Sequence, residues 1–207
     1  MKKRLLQAGL FGFLLYGVVL YVAPLAFPLP VALEQAPQGL LFVDRKGEPV
    51  RRLLDGELRA EEPARFEEFP PSLIEATIAA EDSRFFSHNG IDGPGLLRAV
   101  RDALLKGEFV SGASTVTQQT IKLYSDPRPR TFRTKFIEIL SARKLEMFAD
   151  KKTILTAYLN RLPYGNQFTG ARAAARGYFG KPLQDLSVAE SALLAGLPNK
   201  PSRLNPW

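Results

Sequence analysis

Apolar positions along the chain fall into three regimes. The first is an uncharged run from Leu5 to Phe27, behind the basic leader Met1-Lys2-Lys3-Arg4. A helix of about 20 such residues spans a bilayer, which predicts a transmembrane anchor over residues 5–27. The next cation after Arg4 is Arg45, so the positive-inside rule places the N-terminus in the cytoplasm and the remainder outside. A cleaved leader is the alternative, but its apolar core normally runs only about 7–15 residues. The second regime, residues 28–38, is proline-rich and polar and reads as a spacer. From residue 39 to 207, short apolar segments alternate with turn and cap residues, the pattern of one folded domain.

Within that domain, Gly39 to Leu54 reads as two short strands around a Lys46-Gly47 turn, with Pro49 marking an edge position. Residues 55–69 carry many acids without a period and read as loop. Helical patterns follow. Ser72 and Glu75 form a capping-box start, and Ile74, Ile78, Glu81 and Phe85 then share one face. A second helix is expected from Gly95 to Lys106, with Leu96, Leu97, Val100 and Leu104 on one side. Thr115 and Gln118 open a third, and Phe132 to Met147 form a long fourth. The next begins at Asp150, with Ile154, Leu155, Tyr158, Leu159 and Leu162 as its core stripe. Ala171 to Phe179 stops at Gly180, and Ser187 with Glu190 caps a last helix over Ala189 to Leu197. The expected fold class is therefore mainly α, with a short N-terminal β-hairpin.

Composition narrows the chemistry. There is no cysteine and one histidine, which excludes a disulfide framework, a thiolate metal site and a His-rich zinc site. Any metal would be a hard cation held by oxygens, with the substrate supplying some of them. The net charge of +7 suits nucleic acid, anionic lipid or a phosphorylated substrate. Lys2, Lys3 and Arg4 account for part of it, and a body outside the cytoplasm argues against nucleic acid.

Three groups of residues could carry chemistry. Glu81 places a carboxylate in an apolar stripe, beside Asp82 and shortly before His88, an environment suited to proton transfer. The bland alternative is that it borders the core. The small, hydroxylated stretch Ser111 to Thr117 precedes a helix start, which is either an anion site or a plain N-cap. Lys122, Arg128, Arg130 and Arg133 are followed by Lys135 and Glu138, i,i+3 partners that taken alone read as a surface ion pair.

Taken together and in order, E-D-S-R-F-F-S-H-N-G (81–90), G-A-S-T-V-T-Q-Q-T-I-K (112–122), K-F-I-E (135–138), I-L-T-A-Y-L-N (154–160), Y-F-G-K (178–181) and L-L-A-G-L-P-N-K-P-S-R-L-N-P (193–206) resemble the peptidoglycan glycosyltransferase domain. This is glycosyltransferase family 51, found in class A penicillin-binding proteins and monofunctional glycosyltransferases. The stretches D-R-K-G-E-P-V-R (44–51) and P-S-R-L (201–204) resemble the penicillin-binding protein 1C type. The likeness covers about residues 40 to 206.

The resemblance implies a helical, lysozyme-like core and lipid II as substrate. In that reaction the 4-hydroxyl of the acceptor GlcNAc attacks C1 of the MurNAc at the growing chain's reducing end. Undecaprenyl diphosphate leaves and the anomeric centre inverts. Carried onto this sequence, Glu81 becomes the general base. Lys122, Arg130, Lys135 and Glu138 surround the donor diphosphate, with Ser114 lining the site. Glu138 either holds Mg²⁺ or another divalent cation, or orients Lys135. Gln118, Gln119 and Asp82 position the site rather than react. The implied place is the bacterial inner membrane, crossed once, with the catalytic domain outside and cell-wall synthesis proteins as partners.

Three departures from the family's pattern stand out. Thr134 precedes Lys135 where many members have arginine, and Arg133 can supply that charge one position early. Thr156 replaces a glutamate common in the family, so that position is non-catalytic here. The sequence ends at Trp207, where the family continues into another helix, so the domain's C-terminal end is expected to be incomplete and no transpeptidase domain follows. Two rival readings remain: a lysozyme-like muramidase, and an inactive membrane-anchored fragment that binds lipid II or a partner.

Overall fold

Helices preceded by one hairpin make up the described structure. It is a computed structural model and describes residues 17–27, 29, 40–46, 49–53, 63–106, 114–125 and 127–206. Strands β1 (Leu40–Val43) and β2 (Pro49–Leu53) pair antiparallel, Leu40 opposite Leu53 and Val43 opposite Pro49, with an irregularity between Phe42 and Val43. The Asp44 carboxylate accepts the Lys46 N–H at 2.7 Å at the turn. The helices are α1 (Pro71–Glu81), α2 (Gly93–Lys106), α3 (Val116–Leu123), α4 (Phe132–Phe148), α5 (Lys151–Arg161), α6 (Ala171–Phe179), α7 (Val188–Gly196) and the single turn α8 (Pro201–Leu204). One compact unit draws on Met1–Val31 and Ser87–Asp150, and the other on Ala32–Phe86 and Lys151–Trp207.

The second unit is built on α1, α5, α6 and α7. Ile154, Leu155, Tyr158 and Leu159 of α5 are fully buried and Leu162 nearly so, the stripe that the sequence pattern predicts. Gly180 takes the left-handed conformation that ends α6, and both bonds of the Ser187–Glu190 capping box form at α7. Asn160 acts as a clamp. Its side-chain amide donates to the Ala64 carbonyl at 2.8 Å and accepts the Ala64 N–H at 2.9 Å, tying the segment before α1 to α5. Glu68, in the same segment, pairs with Arg172 of α6.

Two details of α1 differ from expectation. Pro71 stands at its first position, where the fixed proline φ suits a helix start and no N–H is wanted. The cap is therefore backbone: the Pro70 carbonyl accepts the Leu73 N–H at 2.9 Å, and Ser72 bonds elsewhere instead of forming a capping box. The buried face is also one residue out of phase with the expected stripe. Leu73 and Thr77 are buried while Ile74 and Ile78 are half-buried, because the helix turns its Leu73 side to α7. Phe85 is buried too, but from a separate 3-10 turn, Phe85–Ser87, beyond the end of α1.

In the first unit α3 packs on α4, and the Thr117 hydroxyl donates to the Glu146 carboxylate at 2.6 Å across that contact. Of the predicted anchor, residues 5–16 lie outside the described residues. Its described end is a π-helical turn, Val18–Val22, followed by a 3-10 turn, Ala23–Ala26, and both pack on α4. The Arg143 guanidinium stacks 4.8 Å from the Tyr21 ring, and Lys144 donates to the carbonyls of Leu25 at 3.1 Å and Phe27 at 2.7 Å. Among the described residues no helix is long and apolar enough to cross a membrane. The predicted spacer lies outside the described residues except for Leu29, as do residues 55–62 of the predicted loop. Of the apolar residues expected along one side of α2, Leu96, Leu97 and Leu104 are exposed, Leu97 at 72% and Leu104 at 81%.

Two measurements test this packing. Replacing Asn160 by Ala removes both bonds to Ala64 and is expected to cost about 1–3 kcal/mol in a denaturant titration. The Glu190 carboxyl is held down at about 2, from the usual 4.5, chiefly by the hydrogen bond from Lys181 and then by those from Ser187. A depressed carboxylate stabilises the fold above its ordinary value, and that contribution disappears as pH falls through the folded value. Glu190→Gln is therefore expected to melt earlier than the wild type at pH 7, with the gap closing between pH 4.5 and 2.

Candidate active site

Glu81 is the last residue of α1 and is half-buried. Its Oε1 accepts a 2.7 Å hydrogen bond from the Asn199 side-chain amide. Asn199 ends the 3-10 turn Leu197–Asn199 that directly follows α7. The two residues meet because α1 and α7 pack side by side in the same direction. Ser72 Oγ and Ser191 Oγ lie 2.9 Å apart near the helix starts, and Leu73 and Leu194 are fully buried.

Two phenols lie near this carboxylate. Tyr158 of α5 and Tyr164 are both buried, and burial first, then the charge of Glu81, pushes each phenol above its usual range. Both therefore remain neutral O–H groups at any working pH. The Tyr164 hydroxyl has no hydrogen-bond partner among the described residues. Asp82, expected to position the site, is buried directly after Glu81, and its backbone carbonyl accepts the Phe85 N–H at 2.9 Å.

The expected cation cluster lies in the other compact unit. Thr115 caps α3, accepting the Gln118 N–H at 3.2 Å and donating its own hydroxyl to the Gly90 carbonyl at 2.9 Å. Gln118 is buried, and its side-chain amide also donates to the Gly90 carbonyl, at 3.3 Å, rather than back to Thr115. Gly90 is required here: its φ is +84°, and a Cβ would sit 2.8 Å from the Ala142 carbonyl oxygen. This locked start of α3 sets the position of Ser114, the residue just before the cap.

Lys135, in the first turn of α4, donates to Ser114 Oγ at 2.6 Å and lies 3.4 Å from Glu138 Oε2. Ser114, Lys135 and Glu138 are thus one cluster, with an ammonium held between a hydroxyl and a carboxylate. Lys122 and Arg130 are exposed and, among the described residues, make no ion pair. Gln119 is half-buried on α3. No three acidic or imidazole side chains converge among the described residues, so they do not fit a metal cage made by protein alone. They do fit a hard cation shared between Glu138 and phosphate oxygens of a ligand.

Sequence reasoning missed Asn199 and the two tyrosines as neighbours of Glu81. Tyr158 reads as part of the α5 core stripe, which is correct as far as it goes. Asn199 stands 118 residues from Glu81, and nothing local signals the contact.

The family model described as Transglycosylase matches residues 46–207. Penicillin-binding protein 1A of Pseudomonas aeruginosa is 44% identical over 151 residues, covering 73% of this chain and 18% of its own length. The Escherichia coli K12 protein of the same name is 40% identical over 158 residues, covering 73% of this chain and 19% of its own. That of Neisseria gonorrhoeae is 38% identical over 216 residues, covering 100% and 27%. The chain spans about a quarter or less of the length of these curated relatives. With most of its length matched by the family model, the chain belongs to the transglycosylase family, the glycosyltransferase domain of class A penicillin-binding proteins.

Proposed function

We propose that this chain polymerises lipid II into glycan strands as a peptidoglycan glycosyltransferase with the lysozyme-like helical core that the family implies. The observation that carries the reading is the ammonium of Lys135, held between Ser114 and Glu138 in a motif of that family. A fixed cation serves a reaction whose leaving group is a diphosphate, where negative charge grows as the bond breaks. Hydrolysis of a glycosidic bond needs no such group, which disfavours the muramidase reading.

The chemistry divides between two sets of residues. Glu81 takes the proton of the acceptor GlcNAc 4-hydroxyl as that oxygen attacks MurNAc C1. The bond from C1 to the diphosphate oxygen breaks, undecaprenyl diphosphate departs, and C1 inverts. Lys135 meets the departing charge, with Lys122 and Arg130 as further cations and Ser114 and Glu138 orienting Lys135. Gln118 and Gln119 act by keeping the start of α3 in place, and Asp82 by fixing the chain just after Glu81. A divalent cation such as Mg²⁺ would be held by Glu138, in place of its role in orienting Lys135, and would supply neutralisation of diphosphate charge.

The setting that fits is the inner membrane of a bacterium. The uncharged sequence from Leu5 to Phe27 supports a single anchor, the basic leader supports an N-terminus inside, and growing strands place cell-wall synthesis proteins nearby. Exposed Leu97, Leu104, Leu105 and Phe132 suit a domain that works against lipid.

Polymerisation of labelled lipid II in detergent tests the proposal. Glu81→Gln is expected to lose about 10²–10⁴ of the rate, and Lys135→Ala about 10²–10³, both with unchanged melting temperature. Wild-type activity in Glu81→Gln contradicts the assignment of the base. Lipid II binding without strands from the wild type favours the inactive fragment.

A further inference from the structure

The contact between Asn199 and Glu81 has a consequence for the reaction. A carboxylate at the end of a glutamate side chain turns on a broad, two-fold torsion, so a general base needs something to fix its plane. The Asn199 amide donates to Oε1 at 2.7 Å, a short bond to an acceptor that carries charge. Asn199 is itself well fixed. Its turn carries Pro198 at an early position and buries Leu197 completely, and the Lys200 N–H closes on the Leu197 carbonyl at 3.2 Å.

The surrounding electrostatics favour an N–H donor here. Glu81 ends α1, and α7 runs alongside in the same direction and ends just before Asn199, so the negative ends of two helix dipoles lie near one carboxylate. The buried neighbours Tyr158 and Tyr164 are neutral and supply no compensating charge. Asn199 donates one such bond, to Oε1.

We propose that Asn199 is the positioning residue of the Glu81 base: it holds the carboxylate's plane through Oε1. This rests on Glu81 being the base. It acts through Glu81, so its loss alters turnover ahead of substrate affinity.

The test compares wild type, Asn199→Ala, Asn199→Gln, Asn199→Asp and Glu81→Gln in lipid II polymerisation. Asn199 is exposed, so these variants are expected to fold, and melting temperatures check that. Asn199→Ala is expected to lower kcat by about tenfold to a hundredfold, with KM within about twofold. Asn199→Asp, which sets a like charge against the carboxylate, is expected to lose more, and Asn199→Gln, which keeps the amide donor, restores part of the loss.

An unchanged kcat in Asn199→Ala, a loss that falls equally on KM, or a fall in kcat that follows the melting temperature and is not restored in Asn199→Gln overturns the proposal. In that case an inactive Glu81→Gln leaves the base assignment standing, while an active one overturns both.

Discussion

The side-by-side packing of α1 on α7 is the constraint on which the candidate base depends. Glu81 is the last helical residue of α1, and a terminal residue has no following turn to hold its backbone. Here the neighbouring helix supplies that support. Leu73 and Leu194 are fully buried and Ser72 bonds Ser191 near the starts, while Asn199 bonds Glu81 just past the ends. A shift of α7 along its axis would separate the second pair as surely as the first. The clamp of Asn160 on Ala64 and the pairing of Arg172 with Glu68 hold the segment that leads into α1. Stability of this unit and the geometry of its carboxylate are therefore one problem.

The cation cluster follows a different logic. Its precision comes from backbone capping rather than from apolar packing at the site. Gly90 presents one carbonyl to both Thr115 and Gln118, which locks the start of α3 and the position of Ser114. Thr131 caps α4 by accepting the Thr134 N–H at 3.1 Å, which sets the first turn from which Lys135 reaches Ser114. A partly exposed ion pair such as that of Lys135 with Glu138 adds little to stability. Its placement is better explained by what it can bind.

The local sequence patterns account for most of the elements. The Ser187–Glu190 box, the Gly180 stop, the α5 stripe and the hairpin around Lys46 all rest on residues close together in sequence, and each is found in the structure. The i,i+3 spacing of Lys135 and Glu138 likewise made that pair legible. What escaped the sequence depends on neighbours far along the chain. The buried phase of α1 is set by α7, so Leu73 rather than Ile74 points inward. Ser72 found Ser191 in place of its expected cap because Pro71 already fits the helix start. Asn199 had no local role to signal it.

A general base at Glu81 implies a single displacement, and the stereochemistry of the product tests this most directly. Determining by NMR the anomeric configuration of the linkage that wild-type protein forms from lipid II would decide it. The expected result is inversion at MurNAc C1 relative to the donor. Retention would contradict it, because it requires two displacements and a covalent glycosyl intermediate, with Glu81 as nucleophile rather than base.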